Sequence, residues 1–554
     1  MRTLRPLTNA LLLACLLVTQ APAAAAQAVR PGALERAGGD GAANIPGRLS
    51  AAQFTASVLD GVGQVYNVKE KPFGAKGDGK TLGGCSLRAG SMALTCASGF
   101  AAQDASKLLV VPGAGAGGAD LSTTILSFTS ATRVALAAPA STTVTGKTVT
   151  YATNDTAAIQ SAIDAAGAAG GGVVKMPSGI YGFTGLTVAS DNVWLEGAGP
   201  SSVLATFRAS GDSVAISNGA QFLYGAAIRS LKFRPAVART SGLEVRADNF
   251  DVLYLENLWF ENVYDCMKLG RAANLSVIAY VNNIRAVGYH QFVYVTRVLD
   301  LWANGWSLAA DRADSESIRI DGGCEGLHFV SGDAVNTYAT AKSGAALRIK
   351  AQEYTASPPR EIFFTGFHFD SHFNSVVAES GYRVHFVNCW FQGYDYAVIV
   401  PAASTATDWT FGHCNAARSS KEAFLFGNGA GWVIDDSVIM NNGCANLGSD
   451  GVAVGSHTTG VTITNTTLYN GRQSGETACV QRYGVRVYAG ATNVLLKNLN
   501  VGQSGRTNGT AGIAIDAGAD YFQLDGIIAR GYGGAGVVNN AGISPTKVVG
   551  TVFQ

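Results

Sequence analysis

Four ionisable side chains recur at similar intervals in the middle of the chain. They are Glu244, Lys268, Tyr294 and His328, at steps of 24, 26 and 34 residues, and each directly follows an apolar residue. Neighbouring side chains of a strand point to opposite faces, so the four would form one outward ladder if the apolar residues point inward. A lysine in such a ladder can hold an anionic group, and the other three can transfer protons. An ordinary solvated face is the alternative.

Further polar and aromatic residues surround this ladder. The segments 299–317 and 336–358 flank His328 and are interpreted as long loops, which often border functional sites. Aromatic side chains in the first loop could stack on sugar rings, or could anchor the loop in a small core. We predict as substrate-binding residues Arg246, Trp302, Trp306, Asp333 and Glu379.

The elements that position these residues come from a repeat. From about residue 185 the chain repeats every 22–34 residues, with apolar alternation of period two in units such as Gly460–Leu468. That period predicts a stacked β-solenoid rather than helical repeats. The step from Leu327 to Val376 then requires an inserted loop. The predicted inward anchors of one sheet are Val214, Leu243, Met267, Val293, Leu327, Val376, Val398, Phe424, Val452, Val485, Ile513 and Val537.

Three motifs precede the repeat. They are Phe73-Gly-Ala-Lys-Gly-Asp-Gly-Lys-Thr81, Asn154-Asp-Thr-Ala-Ala-Ile-Gln160 and Gly170-Gly-Gly-Val-Val-Lys-Met-Pro-Ser-Gly-Ile-Tyr181. In order and spacing they resemble the opening of the pectate-lyase superfamily, which includes hydrolases, polysaccharide lyases, uronan epimerases and phage tailspikes. The resemblance implies an all-β fold, a right-handed parallel β-helix of about ten to twelve coils, capped by a helix over 155–167.

The chain departs from this family at one point, because residues 82–150 separate the first two motifs. Their Thr/Val/Leu runs and glycine-rich turns predict a small inserted β-domain. The expected domains are a signal peptide at 1–28, a leader at 29–65, the parallel β-helix at 66–81 and 151–554, and the insert at 82–150.

The resemblance implies an acidic polysaccharide as the substrate, with elimination slightly favoured and hydrolysis or C5 epimerisation as alternatives. Lyases and epimerases of this fold use similar Lys, Tyr and His sets. In β-elimination, Lys268 would hold a uronate carboxylate, with Tyr294 and His328 as acid and base. Hydrolysis needs two carboxylates, and Glu244 would need Asp265, Glu325 or Asp333 as its partner. A third alternative is a non-catalytic glycan-binding surface protein.

Two carboxylates elsewhere resemble the hydrolase branch. Asp435-Asp436 is similar to its paired aspartates, but its Asn-Thr-Asp and Gly-His-Gly elements are absent. Leu347-Arg-Ile-Lys350 resembles the Arg-Ile-Lys element of that branch, yet it precedes the aspartates instead of following them.

The first 28 residues predict export. A basic start at Arg2 and Arg5, an apolar run and small residues are typical of a cleaved secretory signal, which places the protein in the periplasm or outside a Gram-negative cell. Export makes a Cys85–Cys96 disulfide plausible, whereas Cys389 and Cys414 are expected on successive rungs as buried thiols.

Charge and composition limit the partners. The net charge of +1 falls to −1 without the signal, and the sequence has no basic tract, so nucleic acid is not an expected partner. No membrane span is expected, and a trimer would follow the tailspike analogy. We predict no cofactor: some pectate lyases use calcium, but the sequence has no convincing acidic cluster.

Overall fold

The computed structural model describes residues 64–271, 273–339, 342–350, 357–444, 448–470, 479, 481–503 and 509–553. A set of 38 strands forms a continuous parallel solenoid of about 13 turns, and six others form a closed antiparallel barrel. The predicted parallel β-helix is therefore confirmed. The expected signal peptide and residues 29–63 of the expected leader lie outside the described residues.

Each coil contributes strands to three parallel sheets. Sheet 1 contains Leu186–Val188, Val214–Ile216, Leu243–Ala247, Asp265–Leu269, Gln291–Val295, Glu316–Ile320, Ala345–Ile349, Asn374–Ala378, Tyr396–Val400, Tyr483–Val487, Ala511–Ile515 and Val537–Asn539. Sheet 2 contains Val65–Asn67, Gly172–Met176, Val193–Gly197, Leu223–Arg229, Tyr382–Val387, Thr407–Gly412, Thr492–Lys497, Asp520–Asp525 and Lys547–Val549. Sheet 3 contains Gly179–Phe183, Ser202–Thr206, Lys232–Phe233, Trp390–Gln392, Asn415–Ala417, Val438–Met440, Thr467–Asn470, Asn500–Gln503, Ile527–Arg530 and Val552–Phe553.

Long strands turn the corners between these sheets. Phe250–Glu261, Ala279–Val287, Leu299–Ala310, Glu325–Asn336 and Arg360–Asp370 run from sheet 2 into sheet 3. Phe424–Asp435 and Val452–Thr464 run from sheet 1 into sheet 2.

The bend between sheets 2 and 3 sits at one left-handed residue in each coil. Successive coils place Asn257 (φ 53°), Asn283 (φ 52°), Gly305 (φ 70°) and Ser331 (φ 51°) there. Glycine and asparagine tolerate this region of φ/ψ space better than other residues. The asparagines also bond along the stack, since Asn283 Nδ2 donates to Asn257 Oδ1 at 2.6 Å. The turn residues of successive repeats thus stack along one corner of the solenoid.

The register of sheet 1 corrects two predicted anchors. Ile318 and Leu347 stand between Val293 and Val376, whereas Leu327 lies on sheet 2. The segment 336–358 is therefore not one loop, because it contains the strand Ala345–Ile349. Strands of sheets 1 and 2 both alternate apolar and polar residues with period two. The sequence pattern therefore does not distinguish a strand of one sheet from a strand of the other.

The second correction moves one anchor by two residues. Val245, and not Leu243, pairs with Val214 and Met267 and points into the core. The other predicted anchors are confirmed in one sheet, from Val376 through Val398 to Val537.

The capping helix spans Thr156–Ala168, as predicted to within one residue. Its buried face consists of Ile159, Ala162, Ile163 and Ala166, which join the solenoid core. Asp155 precedes the helix, and its carboxylate accepts the backbone N–H groups of residues 76 and 77 at 2.7 and 2.9 Å. The first two motifs therefore meet at the end of the solenoid.

The insert folds as the barrel. Its strands are Lys80–Leu87, Ala93–Thr95, Leu108–Val111, Leu121–Ser130, Arg133–Leu136 and Val144–Ala152. Short 3₁₀ turns span Ala102–Asp104 and Ala116–Gly118 in the barrel and Gly199–Ser201 in the solenoid.

The cysteines follow two patterns. Cys85 and Cys96 form the predicted disulfide inside the barrel, and Cys444–Cys479 forms a second that was not predicted. Cys389 and Cys414 are free, buried and on neighbouring rungs, as expected.

Candidate functional site

A short pattern in sheet 1 builds an outward column. Five consecutive strands present a polar side chain between two buried apolar ones, and paired register stacks these side chains on neighbouring rungs. The column consists of Arg246, Lys268, Tyr294, Arg319 and Arg348. Rungs of a parallel sheet lie about 4.8 Å apart, so the column spans roughly 19 Å. Arg246, Lys268 and Tyr294 of the predicted site are therefore brought together.

Carboxylates from neighbouring turns neutralise most of this column. The guanidinium of Arg246 lies 2.7 Å from Asp212 and 3.0 Å from Asp248. Arg348 contacts Glu316 and lies 2.6 Å from Glu379, the residue predicted beside this column. Burial opposes the charge of Arg348, but the two glutamates outweigh it and raise the pKa of Arg348. Without such partners, stacked cations would repel one another.

Lys268 differs from the arginines of the column. Among the described residues no carboxylate lies within ion-pair distance of its ammonium group. Its Nζ lies 4.9 Å from the centroid of the Tyr294 ring, and its side chain is half-buried. A half-buried cation without a counter-ion is suited to meet an anion from outside the protein.

Tyr294 lies between two cations. The guanidinium carbon of Arg319 is 4.7 Å from its ring centroid, and Lys268 approaches on the neighbouring rung. Its hydroxyl donates to the buried carboxylate of Asp321 at 2.9 Å, and Arg319 reaches the same carboxylate at 3.3 Å. Flanking cations favour negative charge on the phenolic oxygen, and the carboxylate can accept its proton. The arrangement therefore places a phenol, a carboxylate and two cations together at the surface of sheet 1.

Glu244 is not part of the column, and its predicted outward position is wrong. The residue is 1% exposed, because two successive side chains point inward where each coil enters sheet 1. Its carboxylate lies 3.3 Å from the equally buried Arg239. Burial raises the pKa of Glu244 to about 7, and the nearby guanidinium offsets only part of that shift.

His328 lies on sheet 2, so its predicted place in the column is also wrong. Its ring stacks between Trp302 and Phe363, with centroid distances of 4.1 and 4.8 Å, and His385 continues the stack at 5.0 Å. Tyr254 and Tyr280 stack at 5.2 Å in the same outward column. Burial lowers the pKa of His328, although Asp300 opposes the shift. We call this stack the aromatic column.

The remaining predicted residues are dispersed. Trp302 belongs to the aromatic column and is 45% exposed. Trp306 is a core residue rather than part of a loop, since it is 2% exposed and its Nε1 donates to the Val281 carbonyl at 2.9 Å. Asp333 points outward on sheet 3, beside Ser307 and His368, and burial raises its pKa. The segment 299–317 that was interpreted as a loop is largely the strand Leu299–Ala310.

The proposed carboxylate partners of Glu244 also lie on different sheets. Glu325 pairs with Arg360 on sheet 2 at 2.5 Å. Asp265 lies on sheet 1 and accepts from the His290 ring at 2.8 Å, and this hydrogen bond raises the pKa of His290. Tyr264 stacks on the same ring at 4.6 Å. Sequence reasoning did not find this His290–Asp265 pair, because His290 precedes the strand Gln291–Val295 and lies outside its alternating pattern.

Arg319 and Arg348 were also missed, although a signal existed. Both follow the pattern of Met267-Lys268-Leu269, as Ile318-Arg319-Ile320 and Leu347-Arg348-Ile349. The second had been matched to a hydrolase element instead. A search for this three-residue pattern at each repeat would have found both.

The described residues contain no group of three or more His, Cys, Asp or Glu side chains that could hold a metal ion. No helix in the described ranges has the length and apolarity needed to cross a membrane.

No protein-family model and no curated protein matches the sequence. Solved structures are similar at low identity. They include the A-module of Azotobacter vinelandii mannuronan C-5 epimerase AlgE6, at 16% identity, covering 72% of this chain and 95% of that one, with a TM-score of 0.42. A tailspike protein mutant of E. coli bacteriophage HK620 in complex with a pentasaccharide is 11% identical, with coverage of 72% and 74% and a TM-score of 0.44. The pre-mature gene product 12 of bacteriophage phi29 is 14% identical, with coverage of 71% and 56% and a TM-score of 0.49. At these identities the likeness concerns the fold alone.

Proposed function

We propose that this protein acts on an acidic polysaccharide bound along the outer face of sheet 1, and that it cleaves the chain by β-elimination. The observation that carries the proposal is Lys268, a half-buried cation without a described carboxylate partner, next to a tyrosine that can pass its proton to Asp321. A uronate carboxylate would supply the counter-ion that no described residue provides to Lys268.

The reaction follows from these groups. Lys268 neutralises the carboxylate on C5 of the sugar, which makes the C5 proton more acidic. The Tyr294 oxygen takes that proton while its own proton passes to Asp321 over the existing 2.9 Å hydrogen bond. The C5–H electrons form the C4–C5 double bond, and the glycosidic oxygen leaves from C4. Tyr294 then protonates this oxygen, and Asp321 returns its proton to Tyr294.

Hydrolysis has weaker support. It needs two carboxylates on opposite sides of one bond, roughly 5–10 Å apart. Glu244 is buried against Arg239, and its three candidate partners point outward from sheets 1, 2 and 3. Epimerisation would use the same C5 proton abstraction, with a proton returned to the opposite face of the sugar.

The test is a panel of uronate-rich and neutral polysaccharides, followed by ultraviolet absorbance of the unsaturated product that only elimination forms. We expect absorbance with at least one uronate polymer and with no neutral one. Tyr294→Phe should slow its appearance by roughly a hundredfold or more, while Arg486→Ala should not. Arg486 is a matched control because it lies far along the outward column of sheet 1, where it pairs with Asp516 at 2.9 Å.

Other outcomes assign other activities. New reducing ends without absorbance would replace elimination with hydrolysis. A changed uronate composition at constant chain length would indicate epimerisation. Binding without any product would leave a glycan-binding protein, and absence of binding to every acidic polymer would reject the proposal.

A further inference from the structure

A pocket of about 350 Å³ lies at the N-terminal end of the column. Its lining includes Thr187 and Ala215, which occupy the two outward positions that precede Arg246 on sheet 1. Because both side chains are short, the surface is recessed there. Arg208 and Asp212, from the turn before the Ala215 strand, also line the pocket.

Like the column at Lys268, this pocket contains a cation without a described carboxylate partner. Asp212 is engaged by Arg246 at 2.7 Å. Arg208 is exposed, and among described side chains no carboxylate forms an ion pair with it. Its guanidinium donates to the Thr184 carbonyl at 2.9 Å, which fixes its position and leaves most of its donors available. The pocket therefore offers a positioned cation to an anion.

The pocket and Lys268 belong to one path. Ala215, Arg246 and Lys268 occupy successive rungs, so the pocket floor and the lysine are about 10 Å apart at the usual rung spacing. A sugar chain held at Lys268 reaches the pocket within a few residues.

The barrel supports the wall of the pocket. Ser122 Oγ donates to the carbonyl of Phe207, the residue before Arg208, at 2.9 Å. The side chain of Phe207 packs with Val110 of the barrel and with Val237 of the next turn. Asp120 also accepts the Ala238 N–H at 2.7 Å. The turn that carries Arg208 is thus fixed from the barrel side.

We infer that this pocket binds a carboxylate-bearing sugar residue of the bound glycan, through Arg208, and that the barrel positions Arg208. The inference rests on the proposed function, because it assigns a further subsite for the same substrate. It predicts that affinity rises at the oligosaccharide length that first reaches the pocket.

The experiment measures binding of uronate oligosaccharides of increasing length by titration calorimetry, in a Tyr294→Phe background that slows their turnover. Arg208→Ala should weaken the longer oligosaccharides roughly tenfold or more, the scale of one charged hydrogen bond, and leave the shortest ones unchanged. Ser122→Ala should produce a smaller loss with the same length dependence. Arg234→Ala removes a positive charge outside the pocket lining and should change nothing.

The outcomes separate the inference from the proposed function. If Lys268→Ala weakens every length and Arg208→Ala weakens none, the pocket inference is wrong while the proposed function stands. An equal loss at every length for Arg208→Ala would indicate general electrostatic attraction and would also overturn the inference. Failure of all acidic oligosaccharides to bind would reject both.

Discussion

The outer columns of sheets 1 and 2 share one rung spacing but contain opposite chemistry. On sheet 1, cations stacked at this spacing repel, so acidic turns must compensate them, and Lys268 is left without a described carboxylate. On sheet 2, Trp302, His328 and Phe363 attract one another through their ring faces. A column of charged side chains can therefore still bind an anionic ligand. In a column of stacked rings, the ring faces that could stack on a ligand already contact one another. Of these two columns, the one on sheet 1 is therefore the one that we propose as the reactive surface.

The largest expected effect of this difference is at Tyr294. Tyr294→Phe removes the hydroxyl that bonds to Asp321 and should slow turnover by roughly a hundredfold or more, the usual scale for a lost acid or base. Initial rates of product absorbance at saturating substrate measure it. Unchanged rates would remove sheet 1 from the mechanism.

The second effect separates binding from chemistry. Lys268→Ala should raise KM for an acidic polymer roughly tenfold, with a smaller change in kcat, because the carboxylate loses its counter-charge. The salt dependence of KM should weaken in the variant. A variant with unchanged KM would contradict the role of Lys268.

On sheet 2 we expect a substitution to change stability and not turnover. His328→Ala should leave turnover unchanged and lower the free energy of unfolding by about 1 kcal/mol, since it removes a ring from the stack. Thermal unfolding and the rate assay, run on the same preparation, measure both. A hundredfold slower reaction would restore His328 to the site and end the distinction between the two columns.

The last prediction concerns stability rather than activity, at the buried neighbour of the column. The pKa of Glu244 is about 7 in the folded protein against 4.5 for an exposed glutamate, so the folded state binds its proton more tightly. Ionising this carboxyl therefore costs stability as pH rises between those values. Glu244→Gln should flatten this part of the stability profile, whatever its absolute stability. Denaturant unfolding at pH 5 and pH 8 provides the measurement, and an equally steep profile in the variant would contradict it.

Much of the fold was predictable because its signals are local and repeated. Turn residues such as Asn257 and Asn283 mark each coil, and the helix face with Ile159 and Ile163 is visible in the sequence. The site was harder to predict, because outward columns depend on which sheet a strand joins. Leu327 has the same apolar alternation as the true anchors, so His328 was placed beside Tyr294 although it lies on another sheet. Arg319 was missed for the same reason, because Leu327 was assigned to the rung that Ile318 occupies.

The chain leaves the solenoid for the barrel and returns to it at neighbouring residues. Thr153, just after the last strand of the barrel, donates both its N–H and its hydroxyl to Asp78, just before the first, at 3.0 Å. Asp78 and Asn154 keep their own bridges to the solenoid, to Ile180 and Gly182. Recombination at this point can therefore exchange one folded module for another while the coils and the sheet 1 column stay intact. Under the proposed function, such an exchange would change the support of the Arg208 turn while the proposed reaction centre on sheet 1 stays unchanged.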